Sequence, residues 1–362
     1  MKLRFLAILS LACGSAAGTD ARLDRAALPG RLFFVAYDRV HAPPPGHPIT
    51  RKLYVIPASG AAAPIEVISD ELVSGLVGYP ARHAVGVNLS AGPNRSSFLI
   101  DTGAPHFLKT PLIPWEVQSP FSSPDWTTPD APPAMQAQRY LSTQITVAPD
   151  GQRVAGIMGP GMRMCIAPTS GNEPLLCAVE VRACDSHFAS WSPDGKAIVF
   201  AGAIKADRSS CNLHELFIMD TSTGVTRQLT DIPGDRLGRE MREAIVVKGD
   251  ATDRRHKSNH PVWSPDAQWI AFNSPKGISL IHPDGTGLHV IIKPLGIDPA
   301  WSPDGTLIAY LVPHRGAGDK RRFPRRFDIP WVIHVSRADG AGDTQISDDS
   351  GALAVMELVW MD

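Results

Sequence analysis

Five polar residues stand at a near-constant distance before a recurring landmark, and their types are the ones that bind and catalyse. His260 and Asp298 lie three residues before Trp263 and Trp301, Glu357 three before Trp360 and Gln144 three before Val147, while His187 lies four before Trp191. Imidazole, carboxylate and carboxamide groups brought together can hold a metal, move a proton or hydrogen-bond a polar ligand. They serve equally well as the lining of a watered channel. The histidines differ by one position in register, so spacing alone does not place them in one coordination sphere. A second set is cationic: Arg321, Arg322, Arg325 and Arg326, with Arg315 and Lys320, relieved only by Asp319 and Asp328. Such a run suits an anionic partner, an acidic protein surface or an envelope glycan, and it is also what a solvated loop contains.

The landmark positions these groups. Trp301-Ser302-Pro303-Asp304-Gly305 leads into the apolar run from Leu307 to Tyr310. Trp191-Ser192-Pro193-Asp194-Gly195 and Trp263-Ser264-Pro265-Asp266-Ala267 lead into similar runs, and Val147-Ala148-Pro149-Asp150-Gly151 is a weaker copy. Pro presets φ, Asp bonds the backbone ahead of it and Gly supplies a positive φ, so each copy reads as strand, tight turn, strand. The Ser and Asp of the phrase therefore do turn chemistry. A second hairpin follows each copy, as in Leu216–Asp220 before Val225–Thr230 and Ile278–Ile281 before Leu288–Ile292. Each unit is thus four antiparallel strands. Helical periodicity is nearly absent; residues 238–247 form the one predicted short helix.

This combination resembles the TolB-type (WD40-like) β-propeller repeat, which also builds the propeller domains of prolyl-oligopeptidase-like enzymes. The resemblance implies an all-β, six-bladed propeller of four-stranded antiparallel blades over residues 27–362. Blade 1 lacks a first strand of its own, and Glu357-Leu358-Val359-Trp360 matches the strand that ends in Trp301. The ring is predicted to close by pairing this C-terminal strand into blade 1. Blade 3 is expected over 140–183 and blade 4 over 187–230. Strand alternation puts the first–second and third–fourth turns on one face. The other face receives the segments 114–138, 204–212, 231–257 and 313–330, a usual arrangement for binding.

The chain has 362 residues, 43% of them hydrophobic and 20% charged, with a net charge of −1. That supports a sizeable core and gives no electrostatic footprint for a nucleic-acid partner. Lys2 and Arg4 precede an apolar run, Phe5–Ala12, and small residues follow, which reads as a signal peptide over 1–17. Leu11-Ala12-Cys13-Gly14 alternatively resembles a lipoprotein box, with residues 1–12 as leader and Cys13 acylated. Cys165, Cys177, Cys184 and Cys211 remain. In an exported chain they suggest two disulfides, Cys165–Cys177 and Cys184–Cys211.

Two enzymatic motifs were weighed. Asp101-Thr102-Gly103 resembles the active-site loop of aspartic proteases, but no second copy supplies the partner carboxylate, and the segment falls at a third–fourth strand turn. There is no G-x-S-x-G nucleophile elbow of the kind a prolyl-peptidase domain carries. The expected function is a non-enzymatic exported scaffold in the bacterial periplasm or on the outer membrane, binding a protein or glycan without a cofactor and touching membrane only through a lipid anchor. The alternative is a carbohydrate-active enzyme, similar to the metal-dependent polysaccharide lyases among TolB-like propellers, working at the channel mouth with a divalent metal.

Overall fold

The computed structural model describes residues 22–38, 51–68, 73–79, 82–91, 94–104, 107, 109–111, 146–158, 163–168, 176–178, 181–183, 189–204, 215–230, 259–274, 276–292, 296–314, 331–347 and 353–362. Six sheets follow one another along the chain. Blade 1 holds β1 (Arg31–Asp38), β2 (Lys52–Pro57) and β3 (Ile65–Ile68); blade 2 holds β4 (Val73–Tyr79), β5 (Ala84–Ala91), β6 (Asn94–Asp101) and β7 (Lys109–Pro111). Blade 3 holds β8 (Thr146–Val147), β9 (Arg153–Met158), β10 (Arg163–Pro168) and β11 (Leu176–Cys177). Blade 4 holds β12 (Val181–Ala183), β13 (Ala189–Trp191), β14 (Ala197–Ile204), β15 (Glu215–Asp220) and β16 (Thr226–Gln228). Blade 5 runs β17 (Asn259–Trp263), β18 (Ile270–Ser274), β19 (Gly277–Ile281), β20 (His289–Ile292), and blade 6 runs β21 (Ile297–Trp301), β22 (Leu307–Pro313), β23 (Trp331–Arg337), β24 (Thr344–Gln345). The last strand, β25 (Leu353–Met361), pairs antiparallel with β1 and completes blade 1 as its first strand. The closure expected from Glu357–Trp360 is what the fold shows, with Trp360 opposite Leu32 and Leu358 opposite Phe34.

Period-two alternation explains why the blades form a ring. Leu32, Phe34 and Ala36 pack toward blade 6, whereas Phe33 and Val35, the residues between them, pack toward blade 2. Every blade interface has its own apolar cluster of this kind, down to a small one between blades 2 and 3 built on Tyr79, Ala84, Val147, Val154 and Ala167. Both faces of a central strand are therefore dry, which is why its sequence reads as a continuous apolar run. Burying one such Val, Leu, Ile or Phe contributes about 1.5–3 kcal/mol. The first strands surround the axis: β25 touches β4 and β21, and β17 touches β13 and β21.

The repeated phrase is a self-contained turn. In blade 6 the Ser302 hydroxyl donates to Asp304 Oδ1 (2.6 Å) and accepts from the Leu307 amide (2.9 Å), while Asp304 accepts from the Thr306 amide at 3.0 Å. Gly305, at φ +72°, donates to the Ser302 carbonyl. Ser192–Asp194 and Ser264–Asp266 repeat these bonds. Two of the three Trp that open the phrase tie blades together: the Trp301 indole donates to the Val262 carbonyl of blade 5 and that of Trp191 to the Thr146 carbonyl of blade 3 (both 3.2 Å).

One sequence expectation changes. Val181–Ala183 does not end blade 3. It pairs with Gly202–Ile204 of β14 and extends the first strand of blade 4. The reason is length: β14 is eight residues long, and β13 covers only its first half. The predicted helix over 238–247 lies outside the described residues; a 3₁₀ turn at Arg25–Ala27 precedes β1. The Cys165–Cys177 disulfide is present and joins directly opposed residues of β10 and β11. Cys184, Cys211 and Cys13 lie outside the described residues.

Candidate functional site

The two ends of the strands differ. At the phrase end, tight turns satisfy the backbone locally. At the other end the first strands are irregular. In blade 5 the register of β17 on β18 slips between Asn259 and Val262, and in blade 6 that of β21 on β22 slips between Ile297 and Ala300. Blade 1 slips where Glu357 gives way to Val355, and blade 2 between Val73 and Gly75. In blade 4 the pairing partner on β14 passes from Ala183 opposite Gly202 to Ala189 opposite Phe200. Bulges of this type re-aim side chains.

The bulges of blades 5 and 6 bring His260 and Asp298 together. Both residues adopt φ +56° and both precede proline (Pro261, Pro299). His and Asp are among the few non-glycine residues that enter the left-handed region readily, at a cost on the order of 1 kcal/mol. His260 Nε2 lies 3.4 Å from Asp298 Oδ1, with the Asp298 side chain 1% exposed and that of His260 12%. Asn273 of β18 completes the cluster: its Nδ2 donates to Asp298 Oδ1 (3.3 Å), and its Oδ1 accepts from the Asp298 amide (2.8 Å). A buried carboxylate, a largely buried imidazole and a buried carboxamide thus span the seam between blades 5 and 6 at the end of the strands opposite the phrase. Such a set can hydrogen-bond a polar ligand or accept a proton from one.

Glu357 sits at the equivalent place in β25, where Oε2 accepts from the Leu76 amide of blade 2 at 3.1 Å. The structure therefore brings His260 and Asp298 together and gives Glu357 an inter-blade bond. Gln144, His187, Arg321, Arg322, Arg325 and Arg326 lie outside the described residues. Among the described residues no group of three or more His, Cys, Asp or Glu is arranged to hold a metal ion, and no helix is long and apolar enough to cross a membrane.

Asn273 is absent from the sequence-level candidates. Its signal was available: it is the polar interruption in the buried run Ile270-Ala271-Phe272-Asn273. Another long connection was also missed, since residues 39–50 attach between β1 and β2 at the same end as the four segments noted from sequence. Asp101 is confirmed as a turn residue. Its Oδ1 accepts from the amides of Gly103 (2.8 Å) and Ala104 (3.2 Å).

Asp194, Asp220, Asp284 and Asp304 at the phrase end are held below their ordinary range. For Asp194 the Ser192 hydroxyl is the main cause, followed by the Lys196 amide. Burial pushes Asp304 upward, but the Ser302 hydroxyl and the Thr306 donors outweigh it. Asp220, on the exposed turn after β15, is lowered to about 2, first by the Ser222 hydroxyl and amide and then by the same groups of Thr223. These charges stabilise turns.

No protein-family model matches the sequence. An uncharacterized protein of Agrobacterium fabrum is 23% identical over 197 residues, 53% of this chain and 55% of that protein; the match thus spans about half the length of that relative. Among solved structures, a protein of Agrobacterium tumefaciens assigned as TolB matches with TM-score 0.50 and 15% identity, covering 92% of this chain and 99% of its own. A chain of a nidogen/laminin complex matches with TM-score 0.53 and 9% identity, covering 91% and 98%. At these identities the likeness is one of fold. In its blade count, its strand order and its closure by the C-terminal strand, the chain is a six-bladed β-propeller, similar in fold to the Agrobacterium tumefaciens protein.

Proposed function

We propose that the protein is an exported binding scaffold that recognises a protein or glycan of the bacterial envelope at the channel mouth and the long-segment face around it. The observation that carries this reading is the bulged pair His260–Asp298. Left-handed backbone is not needed to build a blade, since β25 pairs with β1 across its own register slip without it, and such conformations concentrate at binding and active sites. The strands to which the five long connections attach end on that side, and the arginine run 321–326 would suit an anionic partner. Export is supported by the Cys165–Cys177 disulfide, which persists in oxidising compartments.

The test is a binding measurement with the full chain against fractionated envelope proteins and glycans. Binding should fall at least about tenfold, or 1.4 kcal/mol, in Asp298→Asn and in a variant with Arg321, Arg322, Arg325 and Arg326 changed to Ser. It should be unchanged in Asp304→Asn at the opposite end. Equal binding by all three variants would overturn the placement. Metal-dependent shortening of a polysaccharide by the protein would replace the scaffold reading with the enzymatic one.

A further inference from the structure

A second cluster of histidines lies at the far end of the strands, on the outer part of blade 5. We propose that His282 and His289 form a binding site for a divalent first-row transition ion of the copper, nickel and zinc class, held over Trp269. Register puts these residues on one face of the sheet. His289 opposes Leu280, which is two residues from His282, and Ile270 opposes Ile281, which sets Trp269 beside His282. Diagonal cross-strand neighbours of this kind are within reach of long side chains. Both imidazoles lie against the same indole: His282 stacks on Trp269 with ring centroids 3.6 Å apart, and His289 meets it edge-on at 5.4 Å.

The tautomers are set by the backbone. His282 Nδ1 lies 2.9 Å from the Gln268 carbonyl, and His289 Nδ1 lies 2.7 Å from the Gly287 carbonyl. A carbonyl only accepts, so each Nδ1 carries the proton and each Nε2 keeps its lone pair. This is the outer bond by which metal-ligating histidines are oriented. Gly287 makes the arrangement fit: at φ +71° it takes a backbone state costly for other residues, and a Cβ there would stand 2.6 Å from His282 Cδ2. His289 is exposed and His282 half-buried, so water can complete the coordination. Arg227 is a cation beside the turn, where it donates to the Pro283 carbonyl. Asp284 on the same turn offsets it, its carboxyl held below the usual range first by the Thr286 hydroxyl and amide and also by His282 and Arg227. Two imidazoles with open positions favour Cu²⁺ over Ni²⁺ and Zn²⁺.

The site stands on its own observations and is independent of the channel mouth. It is tested by titrating copper sulfate, and separately zinc chloride, into the full chain near neutral pH while following tryptophan fluorescence. Copper bound beside Trp269 should give a saturable quench at one equivalent. His289→Ala, an exposed change, should weaken apparent affinity at least about tenfold with the metal-free melting curve unaltered. Trp269→Phe should remove that quench while calorimetry still records binding. An identical copper titration in His289→Ala, or an undiminished quench in Trp269→Phe, would sink the proposal. If His289→Ala melts early without metal, His289→Gln serves in its place, with the same two outcomes.

Discussion

The two ends of the strands are built on opposite plans. At the phrase end, each turn closes through its own Ser, Asp and Gly, and the same bonds recur at Ser192, Ser264 and Ser302. At the mouth end, among the described residues, the side chain changes from blade to blade. The bulge position carries His260 in blade 5, Asp298 in blade 6 and Glu357 near the slip in blade 1, and each is engaged with a neighbouring blade. Local satisfaction makes a turn tolerant of drift, as Ala148 and Ala267 show. Dependence on a neighbour makes the mouth residues informative about function.

The largest test of this contrast removes the frame on which both ends depend. Deleting residues 353–362 takes away β25, including buried Val355, Leu358, Trp360 and Met361. It should abolish cooperative unfolding, because replacing one buried large aromatic alone costs about 3–5 kcal/mol. A truncated chain that melts like the full one in calorimetry would show that the seam is elsewhere.

Next in size is the disulfide. β11 has two residues, and one of them is bonded to Cys165. Changing both Cys165 and Cys177 to Ser should lower stability by about 2–3 kcal/mol for a loop of this length, read from urea denaturation, without altering binding at the mouth.

A paired substitution separates the ends directly. Ser302→Ala leaves the Leu307 amide without its hydroxyl acceptor and should cost about 1 kcal/mol with binding intact. His260→Asn keeps a residue that tolerates the left-handed backbone. It should cost about 1 kcal/mol or less on that account and yet reduce binding. Reversed outcomes in melting and binding assays would invert the assignment of the two faces.

The smallest effect is a pH dependence that belongs to the phrase end. Asp220, lowered from 3.8 to about 2, and Asp194, Asp284 and Asp304, also lowered, bind their protons more weakly folded than unfolded. Their stabilising contribution is complete above the unfolded value and is lost as pH falls from about 4 toward about 2. Melting temperature followed over that range should drop, and Asp220→Asn should flatten the drop.

Much of this was legible in the sequence because the forces are local. Trp-Ser-Pro-Asp-Gly declares its turn through bonds reaching no more than five residues, and Glu357–Trp360 declares the seam by matching the strand before Trp301. Val181–Ala183 was misplaced because three residues pair equally well with either adjacent blade until β14 is seen to extend past β13. His260 and Asp298 were both singled out, but as members of a ring in which their contact was one arrangement among several. Asn273 and the pairing of His282 with His289 over Trp269 went unmarked, since a lone polar residue in a strand and two histidines flanking a turn carry no periodic signal.

The sequence by itself determined the strand phase, the turns, the number of blades and the closing strand, because period-two alternation and turn hydrogen bonds are properties of short stretches. Only the tertiary structure decided which side chains meet. His260 and Asp298 stand in strands of different blades and touch because ring closure sets those strands side by side and a one-residue bulge in each rotates the side chain toward the seam. A shift of one position in either register would turn the same residue onto the opposite face of its strand.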